Sequence, residues 1–228
     1  TVNGGTVSGG GVLSLTDGGT FAANGALRLT TGGNVSLTDT SAVKDLSALE
    51  NAKINIAKTL TVSGTLSTAN GAAFTGDTLI LAGTGTFAAN AVQTNALSLS
   101  NGAKATFAGN NALKKLDLAA NSAVSINGGA TLTLAQDSVG ADGSSLFTGA
   151  GILALNQNGM TVNSKLSGLG TLAVNQSATL ANTAQVGTIT AAGGATLTVN
   201  AAAQADTVSI ANGAGLIQNA DMTVGTVS

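Results

Sequence analysis

A three-residue unit, apolar–polar–apolar, recurs along the chain and constrains its fold more than any other feature. It reads Leu13-Ser14-Leu15, Leu27-Arg28-Leu29, Val35-Ser36-Leu37, Ile54-Asn55-Ile56 and Leu60-Thr61-Val62, and later Leu97-Ser98-Leu99, Val124-Ser125-Ile126, Leu172-Ala173-Val174 and Leu197-Thr198-Val199. Period-two alternation of aliphatic and β-branched residues predicts short strands with one buried face. Clusters such as Asn127-Gly128-Gly129 and Ala192-Gly193-Gly194 separate the units and supply turns with left-handed backbone. Strand midpoints often lie seven or eight residues apart, at 14, 21, 28 and 36 and again at 117, 125 and 133. Three such steps predict an all-β parallel β-helix, a solenoid with about 20–22 residues per coil and roughly 10 coils. Antiparallel sandwiches, with strands every ~8–12 residues, are the alternative.

Longer self-similarity supports the solenoid. Thr20-Phe21-Ala22-Ala23-Asn24 recurs as Thr86-Phe87-Ala88-Ala89-Asn90. Gly83-Thr84-Gly85 matches Gly149-Ala150-Gly151 and then Gly213-Ala214-Gly215. Gly128-Gly129-Ala130-Thr131-Leu132-Thr133 recurs as Gly193-Gly194-Ala195-Thr196-Leu197-Thr198, and Met160-Thr161-Val162 as Met222-Thr223-Val224. These offsets lie near 65 residues, read here as about three coils. A shorter echo, from Gly149–Asn156 to Gly168–Asn175, gives one coil of 19. It pairs Asn156 with Asn175, as a stacked amide ladder requires. Residues 1–228 therefore read as one solenoid, cut from a longer repetitive chain. Excursions are expected at 38–53 and 136–147. In the first, Val43, Leu46 and Leu49 share a helical face and Asp39, Thr40 or Ser41 can cap it, so either a short helix or an irregular coil fits.

Composition narrows the function. Gly, Ala, Thr, Asn and Ser make up nearly two thirds of the chain, and there is no Pro, Cys, Trp, Tyr or His. Without large aromatics a wide core is hard to fill, whereas thin stacked layers suit small aliphatics. With 8% charged residues, a net charge of −2 and scattered Lys and Arg, no basic patch exists for nucleic acid. No segment reaches the ~20 apolar residues of a membrane helix, and five Phe cannot build the aromatic girdles of a membrane barrel.

Chemistry is sparse. His and Cys are missing, so a Ser-His-Asp or Cys-His nucleophile and the usual zinc ligands are excluded. The ten acids are thinly spread, and no two lie one coil apart in matching strand units, as a glycan-cleaving site needs. No catalytic, cofactor-binding or metal-ligating residue is assigned and no cofactor is expected. A weak calcium loop would need Asp137 and Asp142 together. Ice binding would need Thr-x-Thr pairs such as Thr59/Thr61, Thr131/Thr133 and Thr196/Thr198 to stack on consecutive coils.

The unit Gly168-Leu169-Gly170-Thr171-Leu172-Ala173-Val174, with pieces such as Asn24-Gly25-Ala26-Leu27, resembles repeats in the passenger domains of bacterial autotransporters. The resemblance implies a right-handed parallel β-helix displayed on a Gram-negative surface, often as an adhesin. It also implies a C-terminal membrane barrel, which these residues do not contain. Two-partner secreted filamentous adhesins share the fold and 19–20-residue repeats, and S-layer proteins share the acidic, Cys-free composition. The expectation is a non-catalytic display stalk, secreted to the cell surface, facing a host or neighbouring-cell receptor or glycan. The alternatives are a self-assembling S-layer or filament subunit, associating end to end, and a polysaccharide-binding or polysaccharide-cleaving β-helix.

Overall fold

The apolar–polar–apolar units stack. In a computed structural model the chain winds as a parallel β-solenoid of about 11 turns, without helix among the described residues. Residues 26–140 and 143–228 are described throughout. Of residues 1–25 only the strand backbones Val2–Asn3, Thr6–Gly9, Val12–Leu15 and Phe21–Ala22 are described.

Each turn lays one strand on each of three faces. In the third turn Ser41–Val43 lies on the third face, Asp45–Ala48 on the first, and the start of Lys53–Val62 on the second. Each described strand pairs in parallel with an equivalent strand one turn away on at least one side. The inner column of the first face runs Leu27, Leu46, Leu66, Gly85, Ala105, Val124, Phe147, Leu166, Ala184, Ala203 and Met222. Its steps are 18–20 residues with one of 23, slightly shorter than the coil expected from strand spacing. Alternation sends one side chain in and the next out, as in Thr131–Leu134 and Thr196–Val199, where Leu and Val are buried and Thr is half-buried.

The 65-residue repeat is not three turns. Thr131–Leu134 lies on the second face, but its copy Thr196–Val199 lies on the third. Met160–Val162 lies on the third face, and the copy in Met222–Val227 on the first. Gly85 sits on the first face, Gly151 precedes the second-face strand Ile152–Leu155, and Gly215 opens a third-face strand. The repeat is three turns plus one face, so each copy rotates by about a third of a turn.

The corners rotate with it. In early turns the first face meets the second through a four-residue turn with a left-handed third residue. Gly33, Ala52, Ala72 and Ala91 N–H donate to the C=O of Thr30, Leu49, Ala69 and Ala88, and the left-handed residues are Gly32, Asn51, Gly71 and Asn90. Only Gly, or Asn with its small polar side chain, adopts that backbone readily. In the last turns the same device joins the second face to the third, at 192–195 and 211–214. Long strands round the opposite corners. Lys53–Val62, Ala73–Leu81 and Val92–Leu99 bend from the second face to the third, whereas Lys165–Val174, Ala184–Ala191 and Ala203–Ile210 bend from the first to the second.

Inside, the core is a pile of thin layers. Phe74, Phe87, Phe107 and Phe147 are fully buried, and Phe87 stacks on Phe107 with ring centroids 5.3 Å apart. Gly85 makes room, since a Cβ there would lie 3.1 Å from the Phe87 ring. At the bent corner a Cβ on Gly170 would sit 2.3 Å from the Ala150 carbonyl oxygen. Phe107→Ala should therefore cost about 3–5 kcal/mol, and Gly170→Ala should destabilise by about 1–3 kcal/mol. Denaturant unfolding of the two variants checks both, and losses below about 1 kcal/mol would contradict this packing.

Candidate functional site

The expected excursion at 38–53 is a regular turn. Ser41–Val43 and Asp45–Ala48 are strands, with Val43 and Leu46 buried on different faces. The i, i+3 spacing that fits a helix also fits two strands meeting at a corner, with Lys44 at the bend. Asp39 caps no helix. Its Oδ1 accepts from Thr40 N–H (2.8 Å) and from Lys58 Nζ one turn away (2.9 Å). Asp45 Oδ1 accepts from both the N–H and the Oγ1 of Thr65 at 2.7 Å. Lys58 holds the Asp39 carboxyl below its ordinary value of 3.8, with Thr40 N–H adding to it. The Thr65 hydroxyl and N–H do the same for Asp45.

The expected excursion at 136–147 is an insertion. Ala123 pairs with Leu146 and Ser138 with Thr161, both 23 residues on. Here the third-face ladder breaks between Leu116–Leu118 and Ser138–Val139. The side-chain amide of Gln136 fills the gap as a peptide group would. Its Oε1 accepts from Leu116 N–H (2.5 Å), and its Nε2 donates to the carbonyls of Leu116 (3.0 Å) and Ser138 (2.5 Å). One turn earlier Asn111 plays the same part inside the core. It is 2% exposed, accepts from Val92 N–H (3.1 Å) and donates to Ala88 C=O (2.9 Å) and Gly109 C=O (3.0 Å). Buried Ser145 and Ser164 hydrogen-bond each other at 2.7 Å across the insertion. Asn182 Nδ2 donates to Gly143 C=O and Asn163 C=O, both at 2.8 Å. Asn111 and Gln136 carried no signal in the sequence beyond a lapse in the apolar–polar–apolar rhythm.

Of the proposed calcium pair, Asp142 lies outside the described residues, and Asp137 Oδ1 accepts from Gln157 Nε2 (3.3 Å). Among the described residues no three acidic side chains gather. The Thr-x-Thr pairs do not stack on one another. Thr131 and Thr133 pair with Ile152 and Ala154, while Thr196 and Thr198 sit on another face. The amide ladder does form: Asn175 Nδ2 donates to Asn156 Oδ1 (2.6 Å), and Asn219 repeats the contact with Asn200 (2.9 Å).

A surface hollow lies on the first face over the last turns. It is a groove of about 590 Å3, with Leu146 and Lys165 at one end, Asp221 and Thr223 at the other, and Gln185 and Gln204 between. A second hollow of about 310 Å3 opens at the adjoining corner beside Gly168, Gly170 and Gly187, and shares the two glutamines. No family model, no curated protein and no solved structure matches the chain.

Two predictions follow from the polar joints. Asn111→Ala should cost about 1–3 kcal/mol, because it strands buried backbone groups, and Gln136→Ala about 1 kcal/mol. In the second variant hydrogen exchange should rise first at Leu116 N–H. Equal protection there before and after substitution would refute the bridging role. The lowered carboxyls of Asp39 and Asp45 stabilise the fold above their unfolded pKa. That stabilisation fades as pH falls through the folded values, below about pH 4. Melting temperature should drop on acidification, and the Asp39→Asn/Asp45→Asn double variant should flatten the drop.

Proposed function

We propose that the chain is a non-catalytic display shaft of a bacterial surface protein, of the kind the autotransporter-passenger resemblance implies, exported and exposed outside a Gram-negative cell. The observation that carries this reading is the near-unbroken stacking of small-residue turns. Each turn buries its own layer against its neighbours, so length is gained without a wide core. The shaft is closed by backbone ladders and by Asn156–Asn175 and Asn200–Asn219. It carries no Cys that would pair during export. Low charge and many hydroxyl and amide side chains give a hydrated exterior.

The test is export. The chain is placed between a signal peptide and an outer-membrane barrel in a Gram-negative host, and intact cells are probed with antibody and protease. Surface labelling with a protease-resistant core of about the size of the chain supports the shaft. Retention inside the envelope, or digestion to short peptides, overturns it. Concentration-dependent assembly of the purified chain in sedimentation would instead favour a lattice or filament subunit.

A further inference from the structure

We propose that the first-face groove binds an extended, uncharged polysaccharide. On this face the outward column through most of the shaft is made of short side chains: Ser47, Ser67, Thr86, Thr106, Ser125 and Thr148. Over the last turns it becomes Ser167, Gln185, Gln204 and Thr223, held in register by the ladder. The inner column changes at the same place from Phe147 and Leu166 to Ala184 and Ala203. Long amides therefore rise from a sheet backed by small residues, and a groove of about 590 Å3 runs beside them.

The two amides are idle. Elsewhere comparable groups serve the fold: Gln136 plugs a ladder gap, Gln93 Nε2 donates to Asn90 C=O, and Gln157 reaches Asp137. Gln185 and Gln204 have no side-chain hydrogen bond to another described residue. Lys165 and Asp221 likewise form no ion pair with a described residue. Each amide offers two donors and one acceptor oxygen, the complement of a sugar hydroxyl, which both donates and accepts. Strand spacing sets the four polar side chains about 5 Å apart over about 14 Å. That is a row suited to successive units of a linear glycan.

Charge selects among glycans. Lys165 at one end and Asp221 at the other leave the groove without net charge, which disfavours acidic polysaccharides and nucleic acid. Half-buried Leu146 adds an apolar patch for the C–H face of a sugar ring. The corner hollow beside Gly168, Gly170 and Gly187 lets the same amides be reached from a second side.

This inference adds a ligand to the display reading but is tested apart from it, on the purified chain rather than on cells. Residues 1–228 are titrated calorimetrically with hexasaccharides of β-1,4-glucose, α-1,4-glucose, xylose, mannose and N-acetylglucosamine, and with oligogalacturonate and a heparin fragment as acidic probes. At least one neutral probe should bind. The Gln185→Ala/Gln204→Ala double variant should weaken it by about tenfold or more, as the loss of two or more net hydrogen bonds predicts. Thr207→Ala, on the second face, should leave binding unchanged, and melting curves of both variants should match the parent. Absence of binding to every neutral probe, preference for the acidic ones, or binding that survives the double substitution each overturns the proposal.

Discussion

The hydrogen-bonded register between one turn and the next governs everything else in this molecule. Along an unbroken ladder the backbone N–H and C=O groups of a strand pair with the strands one turn away, which fixes the length of a turn and the identity of each column. An inward column is then stacked Leu, Ile, Val or Phe, and an outward column is stacked Thr, Ser, Asn or Gln. Residues 19 apart become closer neighbours than residues five apart. That is why Asn156 meets Asn175 and why Asp45 caps the first residue of the following first-face strand, Thr65.

Where register fails, side chains substitute for backbone. The joint around turns six to eight is the place where tight turns leave one corner and reappear at another. The chain bridges it with the amides of Asn111 and Gln136 and with the Ser145–Ser164 contact. An amide side chain carries the same donor and acceptor as a peptide group, so it can occupy a missing position without stranding its neighbours. A few polar side chains thus hold the joint of an otherwise aliphatic pile together.

The strands, their alternation and the parallel solenoid were legible in the sequence because each depends on local pattern. The one-turn echo from Gly149–Asn156 to Gly168–Asn175 was legible too, and it placed the amide ladder correctly. The 65-residue repeat was misread because identical turn and strand segments fit any of the three faces; local chemistry does not encode which one. Neither the short helix nor the irregular coil open for 38–53 forms, because spacing of three also describes a corner between two strands. Asn111 stayed hidden because a polar residue in an inward column looks, in sequence, like one facing out. The groove left a trace that was overlooked: Ala184-Gln185-Val186-Gly187-Thr188 and Ala203-Gln204-Ala205-Asp206-Thr207 are one turn apart.

A block that spans three turns and one face turns linear copying into rotation. Appending one block does not extend a loop-bearing stripe along one side; it points the new loops about 120° away from the old. Three blocks are needed before a loop faces its starting direction again. A shaft lengthened this way winds its irregular features around itself like a spiral stair. No single flank gathers all of its turns, and any surface docking flat along it meets a different texture on each side.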